Sequence, residues 1–268
     1  MQRLWERNDH QEPSVFAPEG LLREARRQRN LPDGNVPEIC LLDPDGDLVR
    51  FVQATRQGRR SATWACYHTE LWETEVEGRT VGIIGNAVGA PFAVLVAEEV
   101  FASGGKLLVS VTSAGQLDPT LPLPCTLLVQ RALRGEGASF AYLPPGDHVA
   151  GNVQLLAAVS AELQRAGIPA VNGSTWTTDA PFRETRSAIA SAQAAGAQAV
   201  EMEIAGLYAF AQACQKPVVC FALITNQMAQ AGNDFEKGAD NGASHALALV
   251  AAASRAWSSF APGGHHRE

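Results

Sequence analysis

Two glutamates stand one residue apart in Val200-Glu201-Met202-Glu203-Ile204-Ala205-Gly206, where an apolar run gives way to an alanine-rich stretch. Residues 196 to 202 read as a short strand and 204 to 214 as a helix whose apolar residues face a core. Both carboxylates then sit at a strand-to-helix junction, and in open α/β sheets ligands collect outside the carboxyl ends of strands. An ionised Glu accepts several hydrogen bonds and donates none, which matches the paired hydroxyls of a ribose. Met202 between them offers an adaptable apolar surface for a sugar or base face. The same residues also fit solvated acidic positions at a helix start, where negative charge favours the dipole. The pattern alone leaves both readings open.

Other strand ends carry polar residues. Gly85-Asn86-Ala87-Val88-Gly89-Ala90-Pro91 joins a strand to a helix, and its small residues would let backbone amides approach an anion there. It lacks the third glycine of a dinucleotide fingerprint and the Gly-Lys-Ser/Thr of a P-loop, so a tight structural turn is the competing reading. Thr112 and Ser113, before Ala114 and Gly115, place two hydroxyls at the next strand end, so Gly85, Asn86, Gly89, Thr112 and Ser113 form a candidate phosphate or water site, with Arg50 as the nearest cation. Asn226 and Gln227 follow an apolar strand with amides that suit the edge of a heterocycle. Trp176, Thr177 and Arg183 end or follow a further strand; Trp176 fits either stacking on a flat ring or core packing, and Arg183 fits binding of a carbonyl. His68 and His148 have no partner at a spacing that proposes a metal site or a triad, and no Gly-x-Ser-x-Gly elbow is present.

These residues need a scaffold, and the rest of the chain describes one. Its 268 residues, 46% hydrophobic and 18% charged with 24 glycines, fit one large α/β domain with an extensive core. The formal charge of -7 argues against sequence-independent nucleic-acid binding, and the basic run Arg23 to Arg29 reads as a solvated helix face. Five cysteines without a Cys-x-x-Cys pair point to a reduced, cytoplasmic protein with no structural metal. The N-terminus lacks a secretory apolar core, and the most hydrophobic segment, Phe92 to Ala102, is broken by Glu98 and Glu99 and is too short to span a bilayer.

Residues 1–36 read as a partly ordered N-terminal extension, 37–260 as one domain and 261–268 as a frayed tail that includes His265 and His266. Expected strands are 37–42, 48–53, 63–76, 80–85, 106–112, 125–132, 170–177 and 217–225, besides the one leading to Glu203. Expected helices are 91–102, 153–166, 184–195, 204–214 and 243–257. Strand, glycine-containing loop, helix and strand over 80–112 make a βαβ unit.

From about Cys40 to Trp257 these segments resemble the nucleoside phosphorylase superfamily, which includes purine nucleoside and uridine phosphorylases and related nucleosidases. Glu201-Met202-Glu203 is similar to the family's Glu-Met-Glu signature, in which the Met and the second Glu contact ribose. Gly85 to Pro91 with Glu98 and Glu99 resembles its glycine-rich loop and following helix, and Thr112 to Gly115 its Gly-Thr-Thr-Gly-like strand end. Arg131 to Phe140 looks like the segment before a substrate-covering loop, and Ser244 to Ala246 like the start of its C-terminal helix. The resemblance implies a single three-layer α/β/α domain around a mixed, partly barrel-like sheet, assembled as a homo-oligomer. It implies cleavage of the N-glycosidic bond of a small-molecule nucleoside, with no cofactor other than phosphate as co-substrate.

In that scheme Glu201, Met202 and Glu203 hold the sugar, and Asn226 with Gln227 stabilises the departing base. Two departures stand out. Asn226 occupies a position where many members carry Asp, and Ser110, Gly46 or Asp47, and Tyr67 stand where the family's phosphate-binding arginines are expected. Three readings follow: phosphorolysis on the family pattern, hydrolysis with water replacing phosphate, and a non-catalytic nucleoside binder.

Overall fold

The computed structural model describes residues 9, 10, 12–228 and 234–260. Its helices are α1 (Pro18–Arg29), α2 (Asp47–Ala54), α3 (Ala90–Ala102), α4 (Ser139–Tyr142), α5 (Val153–Arg165), α6 (Arg186–Ala194), α7 (Ile204–Ala213) and α8 (Ala243–Phe260). Its strands are β1 (Ile39–Asp43), β2 (Gly58–Arg60), β3 (Leu71–Val76), β4 (Arg79–Gly85), β5 (Leu107–Gln116), β6 (Cys125–Gly135), β7 (His148–Ala150), β8 (Val171–Thr178), β9 (Ala199–Glu201) and β10 (Val218–Asn226).

The strands form one mixed sheet in the order β10-β6-β8-β9-β5-β1-β4-β3-β2, with β7 paired to β6 off this path, and β10 also pairs with β5. That extra pairing closes β10, β6, β8, β9 and β5 into a ring, and the remaining strands continue from β5 as an open sheet. Two apolar layers cover it. Cys40, Leu42, Ile84 and Leu108 face α3 and α7, whereas the alternate residues Ile39, Leu41, Ile83 and Leu107 face α2, α5 and α8. The result is the expected three-layer α/β/α domain with a sheet partly closed as a barrel.

The way β5 changes partner decides where a ligand can enter. Its first half pairs with β1 up to Leu42 opposite Ser110, and its last two residues pair with β9, Gly115 opposite Val200. Between these pairings, residues 111–114 have no strand on that edge, while the other edge stays bonded to β10. The fork lies at the carboxyl end of β1, the kind of place where ligands collect in open α/β sheets.

Several local expectations are corrected. Residues 48–53 form helix α2, not a strand, because Leu48, Val49 and Val52 are buried on one helical face and the Asp43 carboxylate accepts from Leu48 N–H at 2.9 Å and Val49 N–H at 3.1 Å. Gly46, with φ 74°, supplies the left-handed turn between β1 and α2. The strand expected over 63–76 begins only at Leu71; the residues before it form an irregular segment in which Trp64 Nε1–H donates to Thr69 Oγ1 at 3.1 Å. Within the stretch read as an extension, α1 buries Leu22 and Ala25 against Ala65 and Ala102. The tail with His265 and His266 lies outside the described residues. Among the described residues no helix is long and apolar enough to cross a membrane.

Candidate active site

Two helix starts and one strand end meet at the fork. Gly206 lets α7 lie against α3: a Cβ there would stand 2.8 Å from Ala90 Cβ and 3.2 Å from Val94 Cγ2. This close approach brings the amino end of α3 to the amino end of α7, where Glu203 occupies the residue before the first turn. Glu203 is 1% exposed. Its Oε1 accepts from Gly89 N–H at 2.8 Å and its Oε2 from Thr112 Oγ1–H at 2.8 Å. The glycine loop, the middle of β5 and the Glu-x-Glu segment, separate in sequence, thus share one carboxylate. Burial raises the pKa of Glu203, as does the nearby charge of Asp45, while the bonds from Gly89 and Thr112 oppose the rise.

Glu201 faces inward. Its Oε1 accepts from Thr175 Oγ1 at 3.0 Å and Thr177 Oγ1 at 2.5 Å, and its Oε2 from the backbone N–H groups of Glu203 and Ile204 at 2.7 and 2.8 Å. Thr177 Oγ1 in turn accepts from Ala205 N–H at 2.9 Å. These contacts brace the first turn of α7 and leave Glu201 and Thr177 engaged inside the protein. Burial, with the charge of Glu203 added, pushes the Glu201 carboxyl up to about 8. Met202, between the two, is half-buried.

Asn226 ends β10 beside the fork. Its Nδ2 donates to Ala114 O at 3.2 Å and its Oδ1 accepts from Met228 N–H at 3.0 Å. A Cβ on Gly115 would meet Met228 Cγ at 2.9 Å, Val200 Cγ1 at 3.2 Å and Asn226 Oδ1 at 3.4 Å, so only glycine leaves this corner open. Gln227 is exposed; its Nε2 reaches Gln116 Oε1 at 3.3 Å. Trp176 lies on the other face of β8 from Thr175 and Thr177. It packs with Leu133, Ile189 and Val200 and lines a cavity of about 540 Å³ with Phe140 and Ala192. Arg183 is exposed in the 3₁₀ turn Pro181–Arg183. The structure therefore brings Glu203, Gly89 and Thr112 together, places Asn226 against Ala114 and Gly115 farther along β5, and sets Trp176 and Arg183 apart from the Glu203 carboxylate contacts.

The candidate anion residues have partners of their own. Ser113 Oγ donates to Asp45 Oδ2, and Arg50 Nη2 donates to Asp47 Oδ1 at 2.5 Å and Asp45 O at 3.0 Å. Lys237 Nζ donates to the same Asp45 Oδ2 at 2.9 Å and to Asp47 Oδ2 at 2.5 Å. Burial alone would lower the Lys237 pKa, but Asp47 and Asp45 hold it above its ordinary value. Asn86, with φ 63°, is exposed, and its N–H donates to Asp43 O at 3.1 Å beyond the end of Gly85. At the positions where arginines were expected, Ser110 is fully buried, Gly46 turns the chain into α2, and Tyr67 OH donates to Gln28 Oε1 at 2.8 Å.

Sequence reasoning missed Asp45 and Lys237 as site residues. Asp43-Pro44-Asp45-Gly46-Asp47 was legible as a turn, and its density of aspartates was the one available signal. Nothing in sequence spacing links Lys237 to it.

The family model described as the phosphorylase superfamily matches residues 39–255. The structure of purine nucleoside phosphorylase from Toxoplasma gondii in complex with immucillin-H is similar, with a TM-score of 0.70 and 17% sequence identity over 83% of this chain and 92% of that chain. At that identity the likeness establishes the fold. No curated protein sequence matches the chain.

Proposed function

The chain belongs to the phosphorylase superfamily, and on that premise we propose that it cleaves the N-glycosidic bond of a nucleoside with water as the acceptor. The observation that carries the reading is the buried Glu203 carboxylate, held by Gly89 and Thr112 at the fork between β1 and β9. Each of its oxygens takes one protein donor, which leaves lone pairs for the paired hydroxyls of a pentose. Met202 lies beside it for the sugar face. Asn226 Nδ2 donates to Ala114 O at 3.2 Å and to Thr225 Oγ1 at 3.5 Å; giving up the longer bond would turn one hydrogen to an acceptor atom on the departing base, and because an amide does not deliver a proton as an acid does, a carbonyl-bearing base suits it best.

Water is favoured over phosphate by Asp45. Its side chain is 34% exposed, with Oδ2 committed to Ser113 and Lys237. Oδ1 is the oxygen that would orient a water molecule toward the anomeric carbon. In the step so formed, the water oxygen bonds to that carbon as the bond from carbon to base nitrogen breaks. The electron pair leaves with the base, Asp45 receives the water proton, and the base takes a proton from solvent. A dianion entering here would meet two aspartates already holding the available cations, an unfavourable arrangement at short range.

Phosphorolysis has one supporting observation, the Gly85 to Gly89 loop opening α3, in which Asn86 and Val88 are exposed. Incubation with inosine, uridine and adenosine, with and without phosphate, tests the reading. Release of free base without phosphate is the expected result; release that requires phosphate would support phosphorolysis, and no release from any nucleoside would support a binding protein.

A further inference from the structure

We infer that Asp45 is the residue that selects the acceptor: its carboxylate, tied to Ser113 and Lys237, holds from within the chain the donors that an inorganic phosphate would otherwise take. The inference rests on the hydrolytic reading and gives it a single determinant.

A phosphate at a strand end needs converging hydroxyl, ammonium or guanidinium donors. This site has them, and each is occupied. The Ser113 hydroxyl and the Lys237 ammonium both end on Asp45 Oδ2, and Lys237 and Arg50 divide the two oxygens of Asp47. Formal charges cancel across the two carboxylates and two cations, so the cluster exerts little net pull on an anion. The backbone closes in as well, since a Cβ on Gly85 would stand 3.2 Å from Gly46 Cα, leaving the Asp45 side chain as the removable group.

Removing the Asp45 charge changes the balance in one step. With the side chain truncated, Ser113 Oγ–H loses its acceptor, Lys237 keeps only Asp47, and the charge of these four groups shifts by one positive unit. Asp47 remains to hold Lys237 and Arg50 in place, so the donors stay preorganised. The same substitution removes the group that orients water. Asp45 is therefore the point at which loss of one acceptor and gain of the other coincide.

The test uses the full chain and inorganic phosphate alone, by equilibrium dialysis against radiolabelled phosphate, without nucleoside. The parent should show no saturable binding in the millimolar range. Asp45→Ala, and Asp45→Val in case the first unfolds, neither of which offers a side-chain acceptor, should bind phosphate at least about tenfold more tightly, a change on the scale of one charge-assisted contact. Adding Lys237→Met to either variant should abolish that gain. The inference is overturned if the parent binds phosphate as tightly as the variants, if neither folded variant gains binding, or if the gain survives loss of Lys237. Because no nucleoside is present, this outcome is independent of base release by the parent, and either result can fail alone.

Discussion

Replacing Glu203 by Gln isolates the role of one carboxylate. The amide has nearly the same shape, but it has one oxygen where the acid has two. Its Oε1 can keep the 2.8 Å bond from Gly89 N–H, and its Nε2 must then donate to Thr112 Oγ1, whose hydroxyl turns toward Ser113 O at 3.4 Å. The protein's own hydrogen bonds are thereby conserved. What is lost is the second acceptor oxygen and its charge, hence one charge-assisted bond to a sugar hydroxyl, about 1.5–3 kcal/mol. That corresponds to roughly a 10- to 150-fold fall in kcat/KM. Stability should not fall in parallel, because burial raises the Glu203 pKa and the neutral amide avoids the cost of an ionised side chain there. Steady-state kinetics of base release, with melting curves of both proteins at pH 8, decide the matter. A folded Gln variant within about threefold of parental kcat/KM, well inside the span of one such bond, would refute the sugar role.

Further outcomes follow from the same contacts. Gly206→Ala should destabilise the protein by about 1–3 kcal/mol, since its Cβ would stand 2.8 Å from Ala90 Cβ; it should also lower turnover by moving Gly89 away from Glu203, as denaturant titration and kinetics would register. Tyr208→Phe should cost about 1–3 kcal/mol in urea titration, because the Tyr208 hydroxyl donates to Val129 O at 2.6 Å and accepts from Cys220 N–H at 3.3 Å where β6 and β10 separate. Glu201, with a pKa raised by burial to about 8 from an ordinary 4.5, binds its proton more tightly when folded. Its contribution to stability is therefore complete below about pH 4.5 and is lost as the pH rises toward 8. Melting temperatures across that range should fall less steeply in Glu201→Gln than in the parent, and identical slopes would contradict the assignment.

Much of the scaffold was legible because burial imposes a period on the sequence. The apolar runs at 106–112, 125–132 and 217–225 became β5, β6 and β10, and the helical patterns at 91–102 and 153–166 became α3 and α5, with only their ends displaced. Where two periods fit equally well, local pattern failed: Leu48 to Gln53 alternates well enough for a strand, and only the Asp43 cap with the Gly46 turn makes it helical. Residue type likewise singled out Glu203, Thr112 and Asn226 as polar positions in or after apolar strands, but said nothing of which of them meet.

What each polar group touches was settled by tertiary structure alone. Glu201 and Glu203 are equivalent on paper, yet one is consumed by Thr175, Thr177 and two backbone amides while the other reaches across to α3 and β5. The direction of a side chain at a strand-to-helix turn depends on the backbone of the junction, and the partners of Glu203 come from segments 114 and 91 residues away. For the same reason Lys237 and Asp45 look unrelated along the chain and become an ion pair only when β1 and the segment before α8 pack around β5. Chain composition determined a three-layer core and the kinds of group at its rim; the closure of the sheet determined which of those groups face one another.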